Sequence, residues 1–267
     1  AAQARVMDRL SQGVSFRSLQ QIHKIEVDAA VESILTGICQ EPDHSLLYSY
    51  VGDASGDGSL KIPASLPEDR LTDLWSYMSP YLQSLEKKLS IMDIAERHAD
   101  DRELFEEYIN GMKNSPSIPD SMESALFDER LYCLSHMVMP IVRKRASDQR
   151  GTAISRIFSM LESVAKIDKR RGAKILSSTL ENMPSIELFA RIMAARAMDT
   201  GRKISKNDFF DTEHARFAAY ADYFFTERYL AHILNNVCKV SQIRASLVVE
   251  RGLDRLVSVC AGLAPAA

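Results

Sequence analysis

The chain has 267 residues, 46% of them hydrophobic and 26% charged, with eleven glycines, nine prolines and a formal net charge of −3. So apolar a composition excludes collagen-like, low-complexity and disordered classes, because it can bury a real core. Helix-formers dominate and glycine is scarce, which argues against an all-β sandwich, and no apolar run reaches the roughly 18 residues of a membrane span.

The first residues, Ala1 to Asp8, carry neither the basic start nor the apolar core of a signal peptide. No initiator Met is present, so Ala1 is not expected to be the natural start. Residues 15–40 read as a long amphipathic helix, with Leu19, Ile22, Ile25, Ala29, Ile34 and Ile38 near helical spacing and Ser15 as N-cap. LLYSYV, residues 46–51, suits a short strand, and GDASGDGS after it a loop. That loop begins like a calcium loop at Asp53, but Ala64 stands where a bidentate Glu is needed. A helical stretch follows near Asp69–His98, then a break at Asn114–Asp120. Helices are expected near 121–145, 148–166 and 169–182, and another begins at Pro184 or Ser185. Beyond the turn at Gly201–Lys203 the pattern predicts helix 206–219, strand 223–226 and helix 227–236. A short strand at Val237–Ile243 and a last helix at 245–262 complete the reading, which is well above the usual third of helix.

Charge is unevenly spread. Ten Lys or Arg and three acids lie between Arg143 and Lys174, whereas eleven acids and four Lys or Arg lie between Asp93 and Arg130. The basic stretch can create a local positive field for phosphates on an acidic protein; Arg143, Lys144, Arg145, Lys169, Arg170 and Arg171 are its RNA-binding candidates. Cys39, Cys133, Cys238 and Cys260 are far apart, with no zinc spacing. They read as reduced, mostly buried thiols in a cytoplasmic protein.

The segment richest in chemistry is Asn207–Arg228. Asp208 and Asp211 open a helix three residues apart, so their carboxylates share one face about a turn apart. Asp222 precedes the aromatic run Tyr223-Phe224-Phe225, and Glu227 follows Thr226 where a buried strand would end. Acids at a helix start and at strand C-terminal ends stand where open α/β sheets place their crevice. Carboxylates converging there repel one another unless a hard cation neutralises them, which points to Mg²⁺ or Mn²⁺.

The pattern Asn207-Asp208-x-x-Asp211-x-x-His214, then Ala219-Tyr220-Ala221-Asp222-Tyr223-Phe224-Phe225-Thr226-Glu227-Arg228, resembles the C-terminal half of PIN-domain and PIN-like nucleases. The resemblance covers residues 184–243, and 15–51 loosely. It implies an α/β/α fold whose acids gather at the C-terminal edge of a parallel sheet, hold divalent metal and cleave RNA. By resemblance Asp208 or Asp211 is the acid opening the fourth main helix. Glu227 stands at the family's acid after the strand, and Glu26 is a candidate for the central acid. The family's first strand, ending in an Asp, has no counterpart here; Asp8 sits in a helical context.

The sequence reading is thus a strongly helix-rich α/β protein, with all-α as the alternative. Residues 1–57 and 183–267 would form a PIN-like core whose small parallel sheet sets a buried strand 223–226 beside 46–51, and 58–182 a helical insertion. The implied function is a metal-dependent ribonuclease, toxin-type in the family's manner, with Asp208, Asp211 and Glu227 catalytic. Asp208, Asp211, Asp222, Glu227 and Glu26 would hold Mg²⁺ or Mn²⁺. RNA is the expected partner; an antitoxin-like protein and a homo-oligomer are admitted, and a membrane is not. Two other classes compete. One is a non-catalytic helical interaction protein. The other is a metal-independent HEPN-like RNase, suggested by the Arg-x5-His spacings Arg17–His23 and Arg130–His136.

Overall fold

The computed structural model describes residues 14–16, 19–43, 47–50, 107, 110, 120–148, 152–164, 169–203, 205, 207–241 and 248–250. The chain divides into two compact units, residues 1–25 with 42–101 and residues 26–41 with 102–267. The described residues are helix-rich, and none of their helices is long and apolar enough to cross a membrane.

In the first unit, β1 (Val14–Phe16) pairs antiparallel with β2 (Tyr48–Tyr50), Val14 opposite Tyr50 and Phe16 opposite Tyr48. The strand expected within residues 46–51 is therefore present, but its partner is not 223–226. Ser15, expected as a helix N-cap, lies in β1, and the helix α1 begins later, at Leu19–Thr36. Val-Ser-Phe and Tyr-Ser-Tyr both alternate a strand-favouring side chain with a small polar one, which suits a short pleated ladder. α1 ends at Gly37, whose φ of +68° is the left-handed conformation favoured just past a helix end. The helix expected at Asp69–His98 and the loop at Asp53–Ser59 lie outside the described residues.

The second unit is built around the helix Pro184–Met198. Ahead of it come α2 (Met122–Cys133), a widened π turn (Leu134–Val138), α3 (Met139–Asp148), α4 (Thr152–Ser163) and α5 (Lys169–Leu180). Ser121 caps α2, its hydroxyl accepting from the Ser124 amide at 3.2 Å. One helix was expected across 121–145, and the π turn interrupts it. Pro140 gives the local reason: it brings no N–H, and its ring crowds the carbonyl four residues back, at His136.

α6 (Pro184–Met198) starts on Pro184 as expected, since the missing proline N–H is no loss at a first helical position. Eleven of its residues are buried, including Ile186, Phe189, Ala190 and Met193. These pack with Val27 and Val31 of α1, Val138 of the π turn and Leu176 and Leu180 of α5 in one core. Met139, Met183 and Met193 fill it as apolar side chains.

After α6, α7 (Asn207–Ala215) tightens into a 3₁₀ turn (Arg216–Tyr220) with Ala218 and Ala219 buried. β3 (Tyr223–Phe225) follows, then α8 (Arg228–Ser241) and β4 (Val248–Glu250). β3 pairs in parallel with β4, Tyr223 opposite Val248 and Phe225 opposite Glu250. A strand thus lies where one was expected, but it is partly exposed, with Tyr223 at the surface, and its parallel neighbour is β4, not residues 46–51. Two further expectations are corrected. Residues 237–241 continue α8, because Leu230, Leu234 and Cys238 recur at helical spacing and are buried. Residues 248–250, expected within a helix, form β4, where Val248 and Val249 are stiff β-branched side chains.

Leu180 has no exposed surface, so Leu180→Ala should destabilise the protein by about 2–5 kcal/mol, lost transfer energy plus an unfilled cavity. A urea unfolding curve with an unchanged slope and an earlier midpoint is the expected result.

Candidate functional site

Asp208 sits in the first turn of α7 and is 2% exposed. Its Oδ1 accepts from Arg196 Nη1 at 2.7 Å and Arg202 Nη2 at 2.9 Å. Its Oδ2 accepts from the Ser205 amide and hydroxyl, each at 2.8 Å. A carboxylate has about four lone-pair sites, and here all are taken. Burial alone would raise this carboxyl, but the Arg196 bond and the two from Ser205 outweigh it and hold Asp208 below the ordinary range. Arg196 is fully buried, and its guanidinium lies 5.5 Å from the Tyr229 ring centre; Arg202 lies 3.8 Å over the same ring.

Asp211, one turn on, is half-buried, and among the described residues no donor hydrogen-bonds its carboxylate. Its carboxyl is raised, first by burial. The Arg196 charge pulls it down, Asp208 and Glu227 push it up, and His214 pulls it down. Glu227 is exposed and caps α8: Oε2 accepts from the Tyr229 amide at 2.9 Å and Oε1 from the Leu230 amide at 2.8 Å. The structure thus brings Asp208, Asp211 and Glu227 within electrostatic reach. Asp222 is exposed, just ahead of β3.

Glu26 is elsewhere in the second unit and fully buried. Oε1 accepts from the Ser185 amide at 2.7 Å and from the Tyr220 hydroxyl, and Oε2 from the Ser185 hydroxyl at 2.8 Å. Met183, at the N-cap position of α6, offers no side-chain cap. Glu26 therefore serves as a cap from another helix, at the positive end of the α6 dipole. Burial raises its carboxyl despite the Tyr220 and Ser185 bonds and the Arg216 charge.

Among the described residues no three His, Cys, Asp or Glu side chains form a group that could hold a metal ion. The fit to a hard cation is selective. Asp211 and Glu227 keep unused lone pairs, whereas every lone pair of Asp208 is bonded to this chain's own donors. The basic stretch divides similarly. Arg145 is tied to α1, its Nη1 2.9 Å from Asp28 Oδ1 and its Nη2 bonded to Glu32. Arg143, Lys144 and Arg171 are exposed, and the side chains of Lys169 and Arg170 lie outside the described residues. Of the Arg-x5-His pairs, Arg130 is buried and bonds Glu187 through both Nε, 2.9 Å, and Nη2, 2.5 Å. His136 is exposed and stacks on Tyr132 with ring centres 4.3 Å apart.

Arg196, Arg202 and Ser205, which fix Asp208, and Tyr229, whose ring lies against the two arginines, escape a motif search. A lone Arg inside the small apolar run Ile192–Met198 was the one available signal: such a charge needs a buried partner. No protein-family model, no curated protein and no solved structure matches the chain.

Two predictions follow from the carboxylates. Asp208→Asn removes the charge that neutralises fully buried Arg196 and should cost about 3–5 kcal/mol. Because the native carboxyl titrates below its unfolded value, its stabilisation is complete above about pH 4 and is lost as pH falls further. The variant should lack that acid-side loss in chemical denaturation. Glu26 has the opposite sign: its native carboxyl titrates above its unfolded value near 4.3, so its contribution declines as pH rises from there through the raised value. Glu26→Gln, which keeps an acceptor oxygen, should therefore gain on the parent between pH 4 and 8 in thermal melts; a constant difference refutes the assignment.

Proposed function

We propose that the chain is a PIN-like, metal-dependent endoribonuclease that hydrolyses RNA phosphodiesters. The observation that carries the reading is the order α7, 3₁₀ turn, β3, α8: an acid on a helix, a strand paired in parallel, and a second acid beyond the strand's C-terminal end. Crevices at the C-terminal ends of parallel strands are where such folds bind ligands.

In this reading Asp211 and Glu227 hold Mg²⁺ or Mn²⁺, which commonly takes one or two carboxylates and fills its shell with water and substrate phosphate. The bound ion supplies an activated water and stabilises charge developing on the phosphate. Asp208 is a positioning residue. It locks Arg196 and Arg202 beneath the first turn of α7 and so fixes the helix that carries Asp211. The exposed Arg143, Lys144 and Arg171 attract the RNA backbone. A second reading, a non-catalytic helical interaction protein, draws support from the saturation of Asp208.

The test pairs cleavage with stability. The parent should cut RNA in Mn²⁺ and stop in EDTA. Asp211→Asn should reduce cleavage to background while leaving the melting temperature unchanged or higher, since it removes a carboxylate that burial and two neighbouring acids disfavour more than Arg196 and His214 favour it. Cleavage that survives EDTA, or an Asp211→Asn protein that cuts as the parent does, overturns the proposal.

A further inference from the structure

A cavity of about 440 Å³ lies between α2, α6 and α8, lined by none of the acids proposed for cleavage. That volume is within the usual range for small-molecule sites. Its wall is mostly apolar, from Leu126 of α2, Ala195 and Met198 of α6, and Ile233 and Val237 of α8. Met122, also on the wall, is 48% exposed, unusual for so large an apolar side chain in a helix that packs on a core.

His232 and Asn236 of the wall bond each other at 3.1 Å, and the remaining polar groups are unevenly placed. Arg191 and Asp199 both line it, eight residues apart on α6 and its C-cap, about 12 Å at the helical rise. Arg191 bonds Glu187 through Nε at 2.7 Å, and among the described residues its terminal amino groups make no hydrogen bond. Those amino groups are a planar fork suited to a carboxylate. At the other end stand Asp199, whose Oδ1 accepts from the Gly201 amide at 3.2 Å, and Tyr229. The two guanidinium groups beside that ring, Arg196 and Arg202, already donate to Asp208, so the cavity's anion site is the Arg191 end, which sets a direction.

We propose that this cavity binds an amphiphile with a single carboxylate and an unbranched apolar body, a medium-chain fatty acid in chemical class, its head on Arg191 and its chain along Ala195, Met198 and Ile233. A body of roughly ten carbons spans the 12 Å between Arg191 and Asp199. The inference is independent of the nuclease reading and needs no metal.

Isothermal titration of the full chain with decanoate, below its micelle concentration, tests it, with decanol as the neutral control. One equivalent of decanoate should bind, and decanol should bind at least about tenfold more weakly. Arg191→Gln should lower decanoate affinity by a similar factor and leave decanol unchanged; Glu187 keeps Arg130 as partner in that variant. Ala195→Trp fills the cavity and should abolish both, with circular dichroism showing that the variant is folded. Absence of decanoate binding, equal binding of decanol, or decanoate binding that persists in folded Ala195→Trp overturns the proposal.

Discussion

A helix buried on nearly every side cannot leave a charge without a partner, and α6 carries three. Glu187 and Arg196 are 1% and 0% exposed, and Arg191 lies one turn beyond Glu187. Moving such ions from water costs several kcal/mol each, so each must be neutralised inside the protein by groups in good geometry. The solutions are alike at both ends. Glu187 accepts from Arg130 of α2 and Arg191 of its own helix, and Asp208 accepts from Arg196 and Arg202. In each case one carboxylate serves two guanidinium groups, and in each case it joins α6 to a neighbouring element. Glu26 adds a third tie, capping the start of α6 from α1. The packing of the second unit is therefore ordered by charge as well as by apolar area: α2, α7 and α1 are held to α6 at specified residues.

That ordering divides the labour of Asp208 and Asp211. Three residues apart on α7, they share a face, yet their carboxyls are displaced in opposite directions. Four donors keep Asp208 ionised and immobile. Asp211 receives none among the described residues, and carries the residual repulsion of two acids. Pairs of titratable groups whose surroundings push them apart mark different chemical duties in functional sites. Here the physical content is simple. The group that is saturated cannot accept a ligand without breaking an ion pair to a buried arginine, while the crowded one gains from any cation that approaches.

Much of the helical layout was legible from local rules. Pro184 at a helix start and the apolar spacing of residues 19–34 each follow from one element's own chemistry. What was not legible is what depends on distant residues. Three-residue strands contain too few side chains to specify a partner, so β3 could be placed but its neighbour, Val248–Glu250, could not. Antiparallel pairing of β2 with β1 was hidden because Ser15 reads equally well as a cap and as a strand residue. At the site, the acids were visible as a motif, but the donors that decide their roles come from α6, the turn after it and α8. Arg196 is twelve residues from Asp208 and Tyr229 twenty-one, distances over which spacing carries no geometric information.

The structural duty of Glu227 leaves room for the ligand-binding one proposed for it. Its two oxygens each accept one backbone N–H of α8, which fixes the carboxylate plane and leaves a lone pair on each oxygen unused. A carboxylate held in this way loses little further side-chain freedom on binding a cation, so the ordering entropy that usually opposes coordination has already been lost in folding. The helix end opposes this in part, because the positive end of the α8 dipole favours the carboxylate charge and competes with an incoming ion. The balance favours binding only where another negative group lies close enough to offset the dipole. In the proposed reading Asp211, which has no hydrogen bond among the described residues, would be that group.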